Sequence, residues 1–158
     1  MDSKTFVYTT YIRATPEQVW RALTDPALTE RYWGVRLESD WTQESPLAWT
    51  QAGVTVAGPE QIVLAAVPGR RLAYTWHTFT ERWAESVGLG EDVRAAIAAE
   101  RRSSVTFTIE PLNGQVKLTV THDFDPAGRV YALCEDGWPT VLSSLKSLLE
   151  TGEPLPAP

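Results

Sequence analysis

The sequence predicts an α+β domain in which a curved antiparallel sheet of about six or seven strands wraps one long C-terminal helix, and three observations carry that prediction. The stretch 137–150, G-W-P-T-V-L-S-S-L-K-S-L-L-E, sets Trp138, Val141, Leu142, Leu145, Leu148 and Leu149 at steps of three and four, one face of a 3.6-residue period. Four turns of helix, roughly 20 Å long, therefore carry an apolar stripe that must be covered. Most of the chain between residues 35 and 122 instead alternates with period two, as strands do. The connections at Pro68-Gly69 and Asn113-Gly114 are too short for parallel crossovers, so the strands they join are antiparallel.

In chain order, residues 6–12 read as a strand rich in β-branched and aromatic types, apolar on both faces. Thr15-Pro16-Glu17-Gln18 opens a helix with an N-cap, a proline at the first helical position and a capping-box glutamine. Pro26 biases Asp25 out of the helical region and ends that helix, and Asp25 caps a second short one that Gly34 closes. Strands follow at 35–40, 47–51 and 60–67, with a weaker candidate at 53–59. Pro68-Gly69 turns the chain into an arm at 71–79, in which Trp76 and His77 point to opposite faces by alternation. Residues 80–102 break the rhythm, with a helix expected over 91–102. Strands at 104–110 and 115–124 flank an Asn-Gly turn, and the second puts Val116, Leu118, Val120 and His122 on one interior face. A helical turn at 129–134 leads to the long helix, with Asp136 as its expected cap. Residues 1–152 form one domain in this reading, and 153–158 a proline-rich tail expected to fray.

The chain has 158 residues, 43% of them hydrophobic and 22% charged, with a formal net charge of -6. Excess negative charge weakens nonspecific attraction to nucleic acid or anionic membrane, and neither is expected as a partner. No segment approaches 18 continuous apolar residues, and residues 1–5 lack the pattern of a secretory signal, so the expectation is a cytoplasmic protein. One cysteine, Cys134, forbids an intrachain disulfide and a cysteine metal site. Two histidines, His77 and His122, and no phosphate loop, dinucleotide fingerprint, zinc-protease or nucleophile-elbow motif leave the catalytic inventory thin. No cofactor and no metal are expected. Seven tryptophans, many for this length, serve either a bulky core or the lining of a pocket.

Four pieces of the sequence together resemble a known family. The opening I-R-A-T-P-E-Q-V-W-R-A-L-T-D-P at 12–26 is the most specific. Tyr32-Trp33-Gly34 follows, then V-P-G-R-R-L-A-Y-T-W at 67–76, then Gly137-Trp138 with the helix to Leu149. The chain thereby resembles the START-like (SRPBCC) helix-grip superfamily, and within it the group named for the activator of the heat-shock chaperone ATPase. The resemblance implies the helix-grip fold and an elongated apolar cavity between the long helix and the sheet. Against the family pattern, 80–102 reads as an insertion: a lid, a dimer contact or inert decoration.

The expected function is binding of a small hydrophobic or aromatic ligand, lipid or polyketide-like, in that cavity. Alternation nominates Trp49, Trp76, Phe107, Leu118, Val120, His122, Trp138, Leu142 and Leu145 as ligand-binding residues, each of which packing alone would also explain. Trp138, at the helix start, is expected to close one end of the pocket. The alternatives are a cyclase- or hydrolase-type enzyme using the same cavity, with His122 and Tyr74 or Tyr131 as acid–base groups, and a protein-interaction domain that stimulates a chaperone. A homodimer is a further expectation.

Overall fold

The computed structural model describes residues 3–156; Met1, Asp2 and the last two residues of the expected tail, Ala157 and Pro158, lie outside the described residues. The elements are β1 (Lys4–Ile12), α1 (Pro16–Thr24), α2 (Pro26–Trp33), β2 (Val35–Ser39), β3 (Leu47–Gln51), β4 (Val54–Val56), β5 (Val63–Val67) and β6 (Arg71–Thr75). There follow α3 (Glu81–Ser86), α4 (Glu91–Ala98), β7 (Ser104–Leu112), β8 (Gln115–Phe124), α5 (Arg129–Cys134) and α6 (Gly137–Thr151). The eight strands form a curved antiparallel surface in two parts, a five-stranded sheet β1-β8-β7-β6-β5 and a three-stranded sheet β2-β3-β4.

Local chemistry sets the first elements as the sequence predicts. Thr15 accepts a hydrogen bond from the Gln18 amide at 3.2 Å, and the Gln18 side chain accepts one from the Thr15 amide at 2.8 Å, which completes a capping box. Asp25 accepts from the Ala27 amide and so caps α2, and Gly34, at φ 81°, ends it. Gly69, at φ 75°, follows Pro68 in the β5–β6 turn, and Asn113 and Gly114, at φ 38° and 83°, make the β7–β8 turn.

The core lies on the inner face of the larger sheet. Val105, Phe107 and Ile109 of β7 and Val116, Leu118, Val120, His122 and Phe124 of β8 alternate inward and are buried. Threonines alternate outward on both strands, and Val7 and Tyr11 of β1 lie on the outer face, both largely exposed. α6 lays Trp138, Leu142, Leu145 and Leu148 into this core.

Three local expectations need correction. β6 ends at Thr75, not Phe79, so alternation stops and Trp76 and His77 are both buried rather than facing opposite ways. Asp136 makes no side-chain cap: its own backbone is helical (φ -83°, ψ -23°), whereas a capping residue needs an extended one. The helix expected over 91–102 is α4 and ends at Ala98, and a further helix that was not expected, α3, precedes it across Gly88 and Gly90. Residues 153–156 turn back on α6: the Ser147 hydroxyl donates to the Glu153 carbonyl and the Leu155 amide donates to Ser144.

The two sheets meet at a polar stitch. Gln61, fully buried, donates through Nε2 to the carbonyls of Leu47 and Val56, both at 2.8 Å, and its Oε1 accepts from the Thr78 amide at 3.0 Å. A single bridge, Pro46 to Ile62, adds the backbone link. This seam fixes the small sheet against the segment 76–79, and the candidate site opens beside it.

Candidate functional site

The site grows from a cluster of indole rings. Trp33 ends α2, Trp49 stands on β3, Trp76 follows β6 and Trp138 begins α6. Their ring centroids lie 4.9 to 6.0 Å apart in five of the six pairings. His77 extends the cluster, 4.2 Å from Trp49 and 4.6 Å from Trp83 of α3, with Phe79 4.9 Å away. Tilted and edge-on contacts of this kind suit the ring quadrupole. The rings do not close completely. They leave a cavity of about 180 Å³ walled by Trp33, Trp49, Trp76, Trp83 and Trp138, with Phe79 and Val141. Its remaining wall comes from α5, through Val130, Leu133 and Cys134, and its polar lining from Gln51 and His77.

Hydrogen bonds fix the polar groups of the wall. The Gln51 carbonyl oxygen accepts from two indoles, Trp49 at 3.1 Å and Trp83 at 2.9 Å. Indole N–H groups only donate, so this sets the amide orientation and turns the Gln51 NH₂ away from them. His77 Nδ1 lies 2.9 Å from the Thr78 carbonyl, an acceptor only, so Nδ1 carries the proton and Nε2 the lone pair. Burial pulls His77 from its ordinary value of 6.5 to about 4, so the ring is neutral at pH 7. Burial also pushes the Cys134 thiol up to about 12, which keeps it a protonated wall atom. Among the described residues, no Asp, Glu, Lys or Arg side chain lines the cavity.

Behind the wall runs a second polar chain. Trp138 Nε1 donates to His122 Nδ1 at 3.0 Å, and His122 Nε2 lies 2.9 Å from the Ser103 hydroxyl. Since the indole can only donate, His122 carries its proton on Nε2 and gives it to Ser103. The ring stacks on Phe124 at 3.8 Å, and burial draws it from 6.5 down to about 3. Tyr131 meets the outer side of Phe124 and the ammonium of Lys4, and Tyr74 packs against Phe107 and Trp41. None of His122, Tyr74 and Tyr131 is on the wall of the tryptophan-lined cavity.

Of the nine residues nominated from the sequence, the structure puts Trp49, Trp76 and Trp138 on the cavity wall. His122 stands one hydrogen bond behind it. Phe107, Leu118, Val120, Leu142 and Leu145, each at most 1% exposed, fill the core between sheet and helix. The central space of the grip is packed, and the cavity is at one end of it. Sequence reasoning missed Trp33, Gln51, His77, Phe79, Trp83 and the α5 residues. The aromatic ones share a signal, ring density at the ends of elements, at Trp33-Gly34, 76–79 and Trp83, where alternation gives no direction; Gln51 and the α5 residues carry none.

The segment 80–102 contributes Trp83 to the wall and is tied down along its length. Arg94 donates to the Phe79 carbonyl, the Arg101 amide donates to Asp125, and the Glu100 carboxylate receives the Arg129 and Val130 amides at the start of α5. No helix among the described residues is long and apolar enough to cross a membrane.

Residues 13–150 match the family described as activator of Hsp90 ATPase homolog 1-like protein. None of the curated proteins matches the chain. Among solved structures, protein MLL2253 from Mesorhizobium loti is 27% identical with a TM-score of 0.70, over 93% of this chain and 97% of that one. The Aha1 dimer from Colwellia psychrerythraea is 19% identical with a TM-score of 0.67, over 94% and 98%. DynU16, a protein of the dynemicin biosynthetic locus, is 22% identical with a TM-score of 0.68, over 95% of this chain and 48% of that one. The last two share the helix-grip fold with this chain.

Proposed function

From the premise that the chain belongs to the family of activator of Hsp90 ATPase homolog 1-like proteins, we propose that it binds a small, uncharged aromatic molecule in the tryptophan-walled cavity. The observation that carries this reading is the wall itself: five indoles around about 180 Å³, with no charged side chain among the described residues. Aromatic walls with a few fixed polar groups are the usual make-up of a small-molecule pocket. An apolar cavity of roughly 150 Å³ takes up benzene, so this one suits one ring or two small ones and is too short for a lipid chain. Burying a charged ligand among these groups would leave its charge unpaired, which is costly. The locus of DynU16 is in keeping with a small organic ligand for this fold.

Native mass spectrometry of protein taken directly from cells, against a denatured extract of the same sample, tests the reading. A reproducible added mass that leaves on denaturation, from a compound with an aromatic ring, supports it. A clean apo mass together with no calorimetric response to toluene or p-cresol refutes it. The Colwellia relative was solved as a dimer, and the same spectra report whether this chain forms one.

A further inference from the structure

The two histidines differ in one respect that bears on what the cavity takes. His122 spends both ring nitrogens inside the protein, on Trp138 and Ser103. His77 spends only Nδ1, on the Thr78 carbonyl, and among the described residues its Nε2 has no partner. The ring is 3% exposed, yet no buried side-chain nitrogen or oxygen among the described residues lacks a partner. Nε2 is therefore the part of His77 that remains accessible. His77 lines the tryptophan-walled cavity together with Trp49, Trp76, Phe79 and Trp83, and it also borders a smaller one of about 80 Å³ on the side of Glu100 and Arg102. Leaving such an acceptor without a donor in an apolar surrounding is unfavourable, so a ligand that brings a donor to it is favoured.

Gln51 supplies the complement. Its oxygen is taken by two indoles, and its NH₂ has no partner among the described residues. His77 and Gln51 both line the cavity, one with a lone pair and one with an amide donor, and a group able to give and to receive a hydrogen bond suits such a lining. A hydroxyl does this. A carboxylate cannot donate to Nε2, and an ammonium finds no counter-charge in the lining.

We propose that the ligand is a neutral phenol-type molecule, an aromatic ring whose hydroxyl donates to His77 Nε2. This rests on the reading of the cavity as a binding site. His77 is then the residue that separates hydroxylated rings from plain hydrocarbons of the same shape. A site that pairs a substrate hydroxyl discriminates against an analogue without it, which a purely apolar pocket does not.

Calorimetric titration of the full chain with p-cresol and with toluene tests the assignment. With His77 as acceptor, p-cresol binds about threefold to tenfold more tightly than toluene, the range expected of one net hydrogen bond. His77→Phe removes that preference or reverses it, because the hydroxyl proton is then buried without an acceptor. Wild-type protein that binds toluene as tightly as p-cresol, or more tightly, overturns the proposal and leaves the cavity reading standing. Binding of neither removes both. Should His77→Phe fail to fold, ¹⁵N NMR of the imidazoles in the unmodified protein decides. The His77 Nε2 signal moves on addition of p-cresol and not of toluene, while His122, fully engaged, stays fixed. An unmoved His77 signal with p-cresol bound overturns the proposal.

Discussion

Trp138 shows how one side chain serves two neighbourhoods. Its ring faces the cavity and its N–H satisfies His122, so the expectation that it merely closes a pocket is too simple. Trp138→Phe keeps most of the ring but strands the His122 lone pair in the core. It should cost about 1–3 kcal/mol, read as a lower urea midpoint. The same burial gives a pH signature. His77 and His122 have folded values near 4 and 3, below the 6.5 of an exposed imidazole. Above pH 6.5 both forms are neutral in either state and add no pH dependence. Below it the unfolded chain binds protons that the folded chain refuses, so stability falls with pH until the folded values are passed. The slope approaches about 1.4 kcal/mol per pH unit for each histidine. Urea unfolding at pH 7, 6 and 5 checks this, and an unchanged midpoint would contradict neutral buried histidines. The inward direction of His122 was legible from its alternation with Leu118 and Val120. Its partners were not, since Ser103 and Trp138 come from other parts of the chain and no spacing rule links them.

At the scale of elements, α6 behaves as its periodicity predicts and its neighbours less so. Leu145 is fully buried against the sheet. Leu145→Ala should cost roughly 2–5 kcal/mol, as in a sealed core, where a lining residue would cost far less. Thermal or urea denaturation distinguishes the two. Helix starts and turns were legible because each rests on a residue with a specific backbone or capping property: Thr15, Asp25, Gly34, Pro68 and Asn113. The arm after β6 was not. Nothing in T-W-H-T-F says that pairing stops at Thr75, because the residues beyond it are as strand-like as those before. They leave the sheet because Gln61 takes the Thr78 amide and Arg102 the Trp76 carbonyl and the Thr78 hydroxyl.

For the whole molecule, the sequence pointed to the helix grip and left open whether its middle was hollow. The same apolar types fill a core and line a cavity, so only packing could decide. The centre is filled, and the free space is displaced to the end where α2, β3, α3, α5 and the start of α6 converge. Leu133 stands at that end with half its surface exposed. Leu133→Trp should put a ring across the opening and abolish uptake of an aromatic probe in calorimetry. Its effect on stability should stay within about 0.5 kcal/mol, as for other surface changes.

The Gln61 stitch has a consequence for motion. Its single amide group joins the carbonyls of Leu47 and Val56 to the nitrogen of Thr78, so the wall bearing Trp49 and the wall bearing Trp76 and His77 cannot part without breaking it. Thr78 lies outside every strand and helix, where a backbone N–H ordinarily trades its hydrogen for deuterium quickly. Here that hydrogen should be retained as long as those of the neighbouring strands. Its loss on Gln61→Leu, with β7 and β8 still protected, would mark the seam as the place where this fold first breathes.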